Sequence, residues 1–191
     1  MKTAARRLLM GASALLLSLA AQANPDIYPT PGTQAPPTGN FTAGASGLLM
    51  AYYTGESGGF TNLVGARING VDGTPGLDNH ASAYGQSFVL GQVTAGDSLV
   101  FFIDANSGAA RYYSDVSLNS DGVNHVWAAA FAGDAQVPAG TNLAFEDLPS
   151  GGDFNYRDHS FVFQITAVPE PASAALLLGG MALLAWRRRS R

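Results

Sequence analysis

Between residues 41 and 167 the apolar residues come in short runs rich in aromatic and β-branched side chains, separated by glycine, asparagine and aspartate clusters. No segment holds a 3.6-residue apolar period, so the pattern predicts strands rather than helices. The expected strands are 48–53, 63–68, 86–90, 98–103, 111–113, 125–131, 142–145 and 160–166. Val100, Phe101, Phe102 and Ile103 form a continuous apolar run, which predicts a central strand covered on both faces. The alanines of 125–131 could be read as helical, but Trp127 and Phe131 flank small residues and Gly133 follows, which favours strand. Asn69-Gly70 predicts a hairpin, because both central positions of a type I′ turn require positive φ. Asp121-Gly122 has the same turn chemistry. Many short strands between turns predict an all-β fold, a single antiparallel β-sandwich of jelly-roll type.

Outside this region the pattern changes. Lys2, Arg6 and Arg7 precede an apolar stretch over 8–20, with small residues at Ala21 and Ala23. This is the layout of a secretory signal peptide over 1–23, implying passage through the Sec translocon and cleavage between Ala23 and Asn24. Five of the seventeen residues over 24–40 are proline, which predicts an extended linker. At the other end, over 168–191, Pro169, Glu170 and Pro171 lead into fifteen mostly apolar residues and then Arg187, Arg188, Arg189 and Arg191. As a helix the apolar run would span about 22 Å against a hydrocarbon thickness of about 30 Å, which suits a temporary anchor better than a permanent one. The order Pro-Glu-Pro, apolar helix, arginines resembles the PEP-CTERM sorting signal. That resemblance implies a membrane protease of the exosortase type, and delivery from the inner membrane to the cell surface or beyond.

Charge narrows the partners. Of the ten basic residues seven lie in the two end segments, leaving Arg67, Arg111 and Arg157 against thirteen acids over 24–168, a net charge of −10. Nucleic acid is thereby excluded as a partner, and bound cations would relieve the self-repulsion. The chain has no cysteine, so an exported fold must draw its stability from its core or from a cross-link other than a disulfide.

The candidate cross-link is acidic. Glu146, Asp147, Asp153, Asn155 and Asp158 fall within thirteen residues, around Pro149 and Gly151-Gly152. Hard oxygen donors on a flexible glycine-containing loop match calcium, although the spacing is not that of an EF-hand. The alternative is an acidic turn in which Arg157 pairs with Asp153 or Asp158. The segment is similar to the carboxyl-terminal motif of an uncharacterised bacterial extracellular domain family, which reads Phe-Glu-Asp-Leu, then Gly-Gly-Asp, then Tyr and Asp before an apolar strand. Tyr112-Tyr113-Ser114-Asp115, Asn119, Asp121-Gly122 and His125 resemble its middle, and residues 55–62 its beginning. The resemblance spans about 48–165 and implies a surface or matrix protein. Departures from the motif are Asn155 in place of aspartate, Arg157 in place of asparagine and His159 in place of an apolar residue.

Other chemistry is weakly signalled. His80, His125 and His159 show no zinc spacing. Glu56 and Glu146 are the only glutamates over 24–168, and nothing in their spacing marks the carboxyl pair of a glycosidase. Tyr52, Tyr53, Tyr84, Tyr112, Tyr113, Trp127 and Tyr156 could stack on sugars or simply pack. The expectation is a non-enzymatic, calcium-stabilised, exported β-sandwich with a structural or adhesive role. The alternatives are a carbohydrate-binding module for extracellular polysaccharide and, more remotely, a glycoside hydrolase.

Overall fold

In a computed structural model of the chain, the structure describes residues 28–167 and Met181. The signal-peptide residues Ala21 and Ala23, and the tail residues Pro169, Glu170, Pro171, Arg187, Arg188 and Arg189, lie outside the described residues. Among the described residues no helix is long and apolar enough to cross a membrane.

Alternating burial builds two antiparallel sheets. The first carries β1 (Phe41–Thr42), β3 (Leu63–Ile68), β4 (Val71–Asp72), β5 (Gly76–Asp78), β7 (Ser98–Ala105) and β8 (Ala110–Tyr113). The second runs in the order β6 (Ser87–Val93), β2 (Gly47–Gly55), β11 (His159–Thr166), β10 (Gly140–Phe145), β9 (Val126–Phe131). All eight expected strands are present, including strand rather than helix over β9. The missed strands, β1, β4 and β5, are two or three residues long, too short to show a period.

The core between the sheets takes Leu49, Ala51 and Tyr53 from β2, Leu99, Phe101 and Ile103 from β7, and Leu143, Phe145 and Phe161 from β10 and β11. In β7 the run Leu99 to Ile103 is buried on both faces, as expected of a central strand. Its outward residue Phe102 lies over Gly65, where a β-carbon would come within 2.2 Å of the ring, and the Arg111 guanidinium covers it at 4.0 Å. Arg111 also pairs with Asp104 and, at 2.9 Å, with Asp72. Asn69 (φ 50°) and Gly70 (φ 82°) make the two-residue β3–β4 turn, with Ile68 opposite Val71.

The outer face of the second sheet is covered by non-strand segments. Phe131, Val137 and Val162 form one small cluster there, and Tyr28, Ala35, Ala144 and Tyr156 another. The second cluster departs from the reading of 24–40 as a linker. Tyr28 and Ala35 are buried, and the Asn124 side chain donates to the carbonyls of Ala35 (2.9 Å) and Pro36 (3.2 Å). Proline content predicts an extended backbone, whereas residues 30–33 turn back on themselves and dock through Tyr28 in an apolar recess.

Candidate metal centre

The register of one hairpin assembles the centre. β10 and β11 pair from Thr141 opposite Phe163 to Phe145 opposite His159. Glu146 and Asp158 are the next residues on either strand, so the hairpin itself sets them across from each other, and the Asp158 amide donates to the Phe145 carbonyl at 3.0 Å. Asp147 follows directly. One oxygen from each of Glu146, Asp147 and Asp158 lies within 4.8 Å of the others, and all three residues are buried.

The connecting loop is tightly wound. Pro149–Gly151 makes a short turn kinked at Ser150, and Ser150, Phe154 and Tyr156 all adopt positive φ. At Gly152 (φ 48°) a β-carbon would meet Leu148 Cβ at 2.6 Å and Glu146 Oε1 at 2.8 Å, so only glycine lets the backbone turn over the carboxylate. The loop then donates to Glu146 from two amides, Leu148 to Oε1 at 3.0 Å and Asn155 to Oε2 at 3.3 Å. Asp158 Oδ2 accepts from the Asp147 amide at 3.2 Å.

Two asparagines complete the surroundings. Asn62 Nδ2 donates to Asp147 Oδ2 at 2.7 Å, and Asn79 Nδ2 donates to the Asp158 carbonyl at 3.1 Å. The Asn62 amide in turn donates to Asn79 Oδ1 at 2.8 Å. Neither asparagine stands out in the sequence as a site residue. Their role depends on the β2–β3 loop, which carries Asn62, and the β5–β6 connection, which carries Asn79, meeting the β10–β11 hairpin, and no local pattern announces that.

Of the five expected ligands, three converge. Asp153 and Asn155 line a cleft of about 300 Å³ together with Asp147, Asp158 and residues 57–60, and the Asp153 charge reaches all three converging acids. The two are tied to each other, Asp153 accepting from the Asn155 amide at 3.1 Å and side chain at 3.2 Å. No ion pair joins Arg157 to Asp153 or Asp158 among the described residues. Arg157 is exposed, and its carbonyl accepts from the Ser57 amide at 2.8 Å.

Burial pushes the Glu146 carboxyl well above its ordinary range, and the nearby Asp158 charge adds to the effect. Burial and the Asp147 charge do the same to Asp158, and burial raises Asp147. Three carboxylates held this way repel one another in a poorly solvated place, and only protons or a cation relieve that. Their spacing fits a cation, because oxygens about 2.4 Å from one calcium ion are at most about 4.8 Å apart. The donors are hard oxygens, as calcium prefers, and the cleft leaves room for water to fill out the shell.

The remaining candidates do not join this group. His125 is buried and stacked on Tyr112 at 3.8 Å, its ring bonded to Asp121 (2.9 Å) and the Glu146 carbonyl (3.0 Å). His159 occupies an apolar core position, edge-on to Tyr53 and Phe161, with neither ring nitrogen hydrogen-bonded among the described residues. Burial drives its imidazole down to about 3, so it stays neutral. Glu56 sits 4.0 Å from exposed His80. Of the aromatic candidates for sugar stacking, Tyr53, Tyr112 and Tyr156 are buried, and Trp127 packs edge-on with Tyr28 at 5.8 Å.

No curated protein and no solved structure matches the chain. Residues 167–190 match the PEP-CTERM protein-sorting motif, as the Pro-Glu-Pro, apolar and arginine order led one to expect. The chain therefore carries an exported protein's carboxyl-terminal sorting signal, processed by the membrane enzyme exosortase on the way to the cell surface.

Proposed function

We propose that this chain is a non-enzymatic surface or matrix protein whose β-sandwich is stapled by calcium at Glu146, Asp147 and Asp158. The observation that carries the reading is the convergence of three buried carboxylates within 4.8 Å in a domain of strong negative charge. An exported domain without cysteine lacks the usual covalent cross-link, and a cation joining both ends of the β10–β11 loop would take its place. Bound calcium would supply charge neutralisation here. The chain's own residues fix the donors: the hairpin sets Glu146 against Asp158, Asn62 orients Asp147, and Gly152 keeps the loop close. No catalytic step is assigned, since Glu146 is enclosed by its loop and Glu56 faces His80.

A second reading, a carbohydrate-binding module, draws on one feature. Phe60 is 37% exposed and lines the cleft beside the polar groups of Asp153 and Asn155, an apolar face next to hydrogen-bonding groups. Binding to the host's extracellular polysaccharide, abolished by Phe60→Ala with the melting temperature unchanged, would favour it.

The test of the first reading is a thermal melt of the full chain in mild detergent, in EDTA and in millimolar calcium. Calcium at about a hundred times its dissociation constant adds roughly 2.7 kcal/mol, a rise on the order of 10 °C at this size. An identical melt in both conditions, at every calcium concentration reached, overturns the calcium staple.

A further inference from the structure

We propose that residues 28–36 are a latch on the acidic loop, and that its docking sets the order of that loop and, through it, the affinity of the cation site. The cation half of this statement rests on the calcium reading above; the latch half does not.

The contacts are specific. The Gly32 amide donates to the Asp153 carbonyl at 3.0 Å. The Tyr156 hydroxyl accepts from the Ala35 amide at 3.0 Å and donates to the Asn124 carbonyl at 2.9 Å. Asn124 returns its side-chain amide to the Ala35 carbonyl at 2.9 Å, which closes a ring of buried hydrogen bonds. The Tyr28 ring packs edge-on against Tyr156 at 4.9 Å, and its hydroxyl ties its own turn through the Thr33 carbonyl at 2.6 Å. The latch thus grips Asp153 and Tyr156, and between them lies Asn155, whose amide supports Glu146.

The loop needs such a grip. Tyr156 at φ 52° and Phe154 at φ 51° hold a backbone conformation that a bulky side chain adopts only when its surroundings enforce it. For Tyr156 the enforcing groups are Tyr28, Ala35 and Asn124. Prolines at 29, 31, 36 and 37 suit the segment to this task, because they fix φ, lower the entropy lost on docking, and lack the N–H that pairing with the sheet would use. Tyr28 would be the fifth residue after the expected cleavage point at Ala23, so processing leaves the latch at the new amino terminus. Coupling is reciprocal: whatever orders the loop, a bound cation included, also strengthens the latch.

The experiment uses the full chain in mild detergent, with Tyr28→Ala and Tyr156→Phe beside the unaltered protein. Hydrogen exchange is followed in the 146–156 loop and in β7, and calcium chloride is titrated calorimetrically. In both variants loop exchange should quicken about tenfold with β7 unchanged, the scale of a lost buried hydrogen-bond pair, and calcium affinity should fall about tenfold. Should Tyr28→Ala not fold, Tyr156→Phe keeps its ring buried and carries the same test. Unchanged loop exchange overturns the latch. Faster exchange with unchanged calcium affinity overturns the coupling. Faster exchange in a protein that binds no calcium upholds the latch and overturns the calcium reading.

Discussion

Gly58 lies against Asp158: a β-carbon on Gly58 would come within 2.8 Å of Asp158 Oδ1 and 2.9 Å of Asp158 Cβ. The β2–β3 loop therefore presses on the acidic hairpin through bare backbone. Asp158 cannot yield easily, since its carboxylate holds the Asp147 amide and its carbonyl holds Asn79. Gly58→Ala should accordingly lower stability by about 1–3 kcal/mol, the range for overpacking, and weaken calcium binding as Asp158 shifts. A calorimetric melt and a calcium titration check this; wild-type values in both would show that the loop is free to move aside.

The three carboxylates predict a reversal of sign. At pH 8 in EDTA, Asp158→Asn removes one buried charge from a repelling group while its oxygen still accepts from the Asp147 amide. The variant should be more stable than wild type, on the order of 1 kcal/mol. In millimolar calcium the order should invert, because the wild type gains roughly 2.7 kcal/mol at a hundredfold excess over its dissociation constant and the variant loses most of that gain. Denaturant titrations in the two buffers give both numbers. A variant less stable than wild type in both buffers would mean that the carboxylate is held by something other than a cation.

The fold was more legible than the site. The Val100–Ile103 run and the Asn69-Gly70 turn each carry a local rule, and the central strand and the hairpin follow from those rules. Glu146 and Asp158 were legible for a related reason: they flank a hairpin loop, so the pairing of the two strands brings them together. Asn62, Asn79 and Gly58 were not, because their roles arise where two loops distant in sequence meet. Composition misled at Tyr28, where prolines describe the backbone and say nothing of what one aromatic ring will find. His159 breaks the pattern of its strand only chemically, as it sits where an apolar residue would and stays neutral there.

Acid and base should destabilise the metal-free protein through different groups. In the folded chain Glu146 keeps its proton up to about 8 against an ordinary 4.5, and Asp158 up to about 6 against 3.8. The folded state thus binds more protons than the unfolded one across those windows, and stability falls as pH rises through them. His159 works in the opposite sense. Its folded value of about 3 lies below its ordinary 6.5, so the unfolded chain takes up the proton and stability falls as pH drops from 6.5 toward 3. Melts in EDTA should therefore decline between about pH 4.5 and pH 8 and level off above, and millimolar calcium should abolish that decline. His159→Leu should gain on wild type at pH 4 to 5 and show no such gain at pH 8. An equal effect of that substitution at both pH values would assign it to packing alone.

The tail gives the last prediction. Residues 167–190 match the sorting motif, and the apolar run within them would reach about 22 Å as a helix, short of a bilayer's hydrocarbon thickness of about 30 Å. A segment of that length is suited to holding a protein at the membrane until it is processed. It is poorly matched to holding it there permanently, because arginines would have to snorkel or the bilayer thin. In a host that carries exosortase, the protein recovered from the cell surface should have a mass lacking the apolar run and its arginines. Replacing Pro169, Glu170 and Pro171 by alanine should leave full-length chain in the inner-membrane fraction, with the β-sandwich still folded by its calcium-dependent melt. Intact tails on surface-exposed wild-type protein would contradict processing and make the segment a lasting anchor.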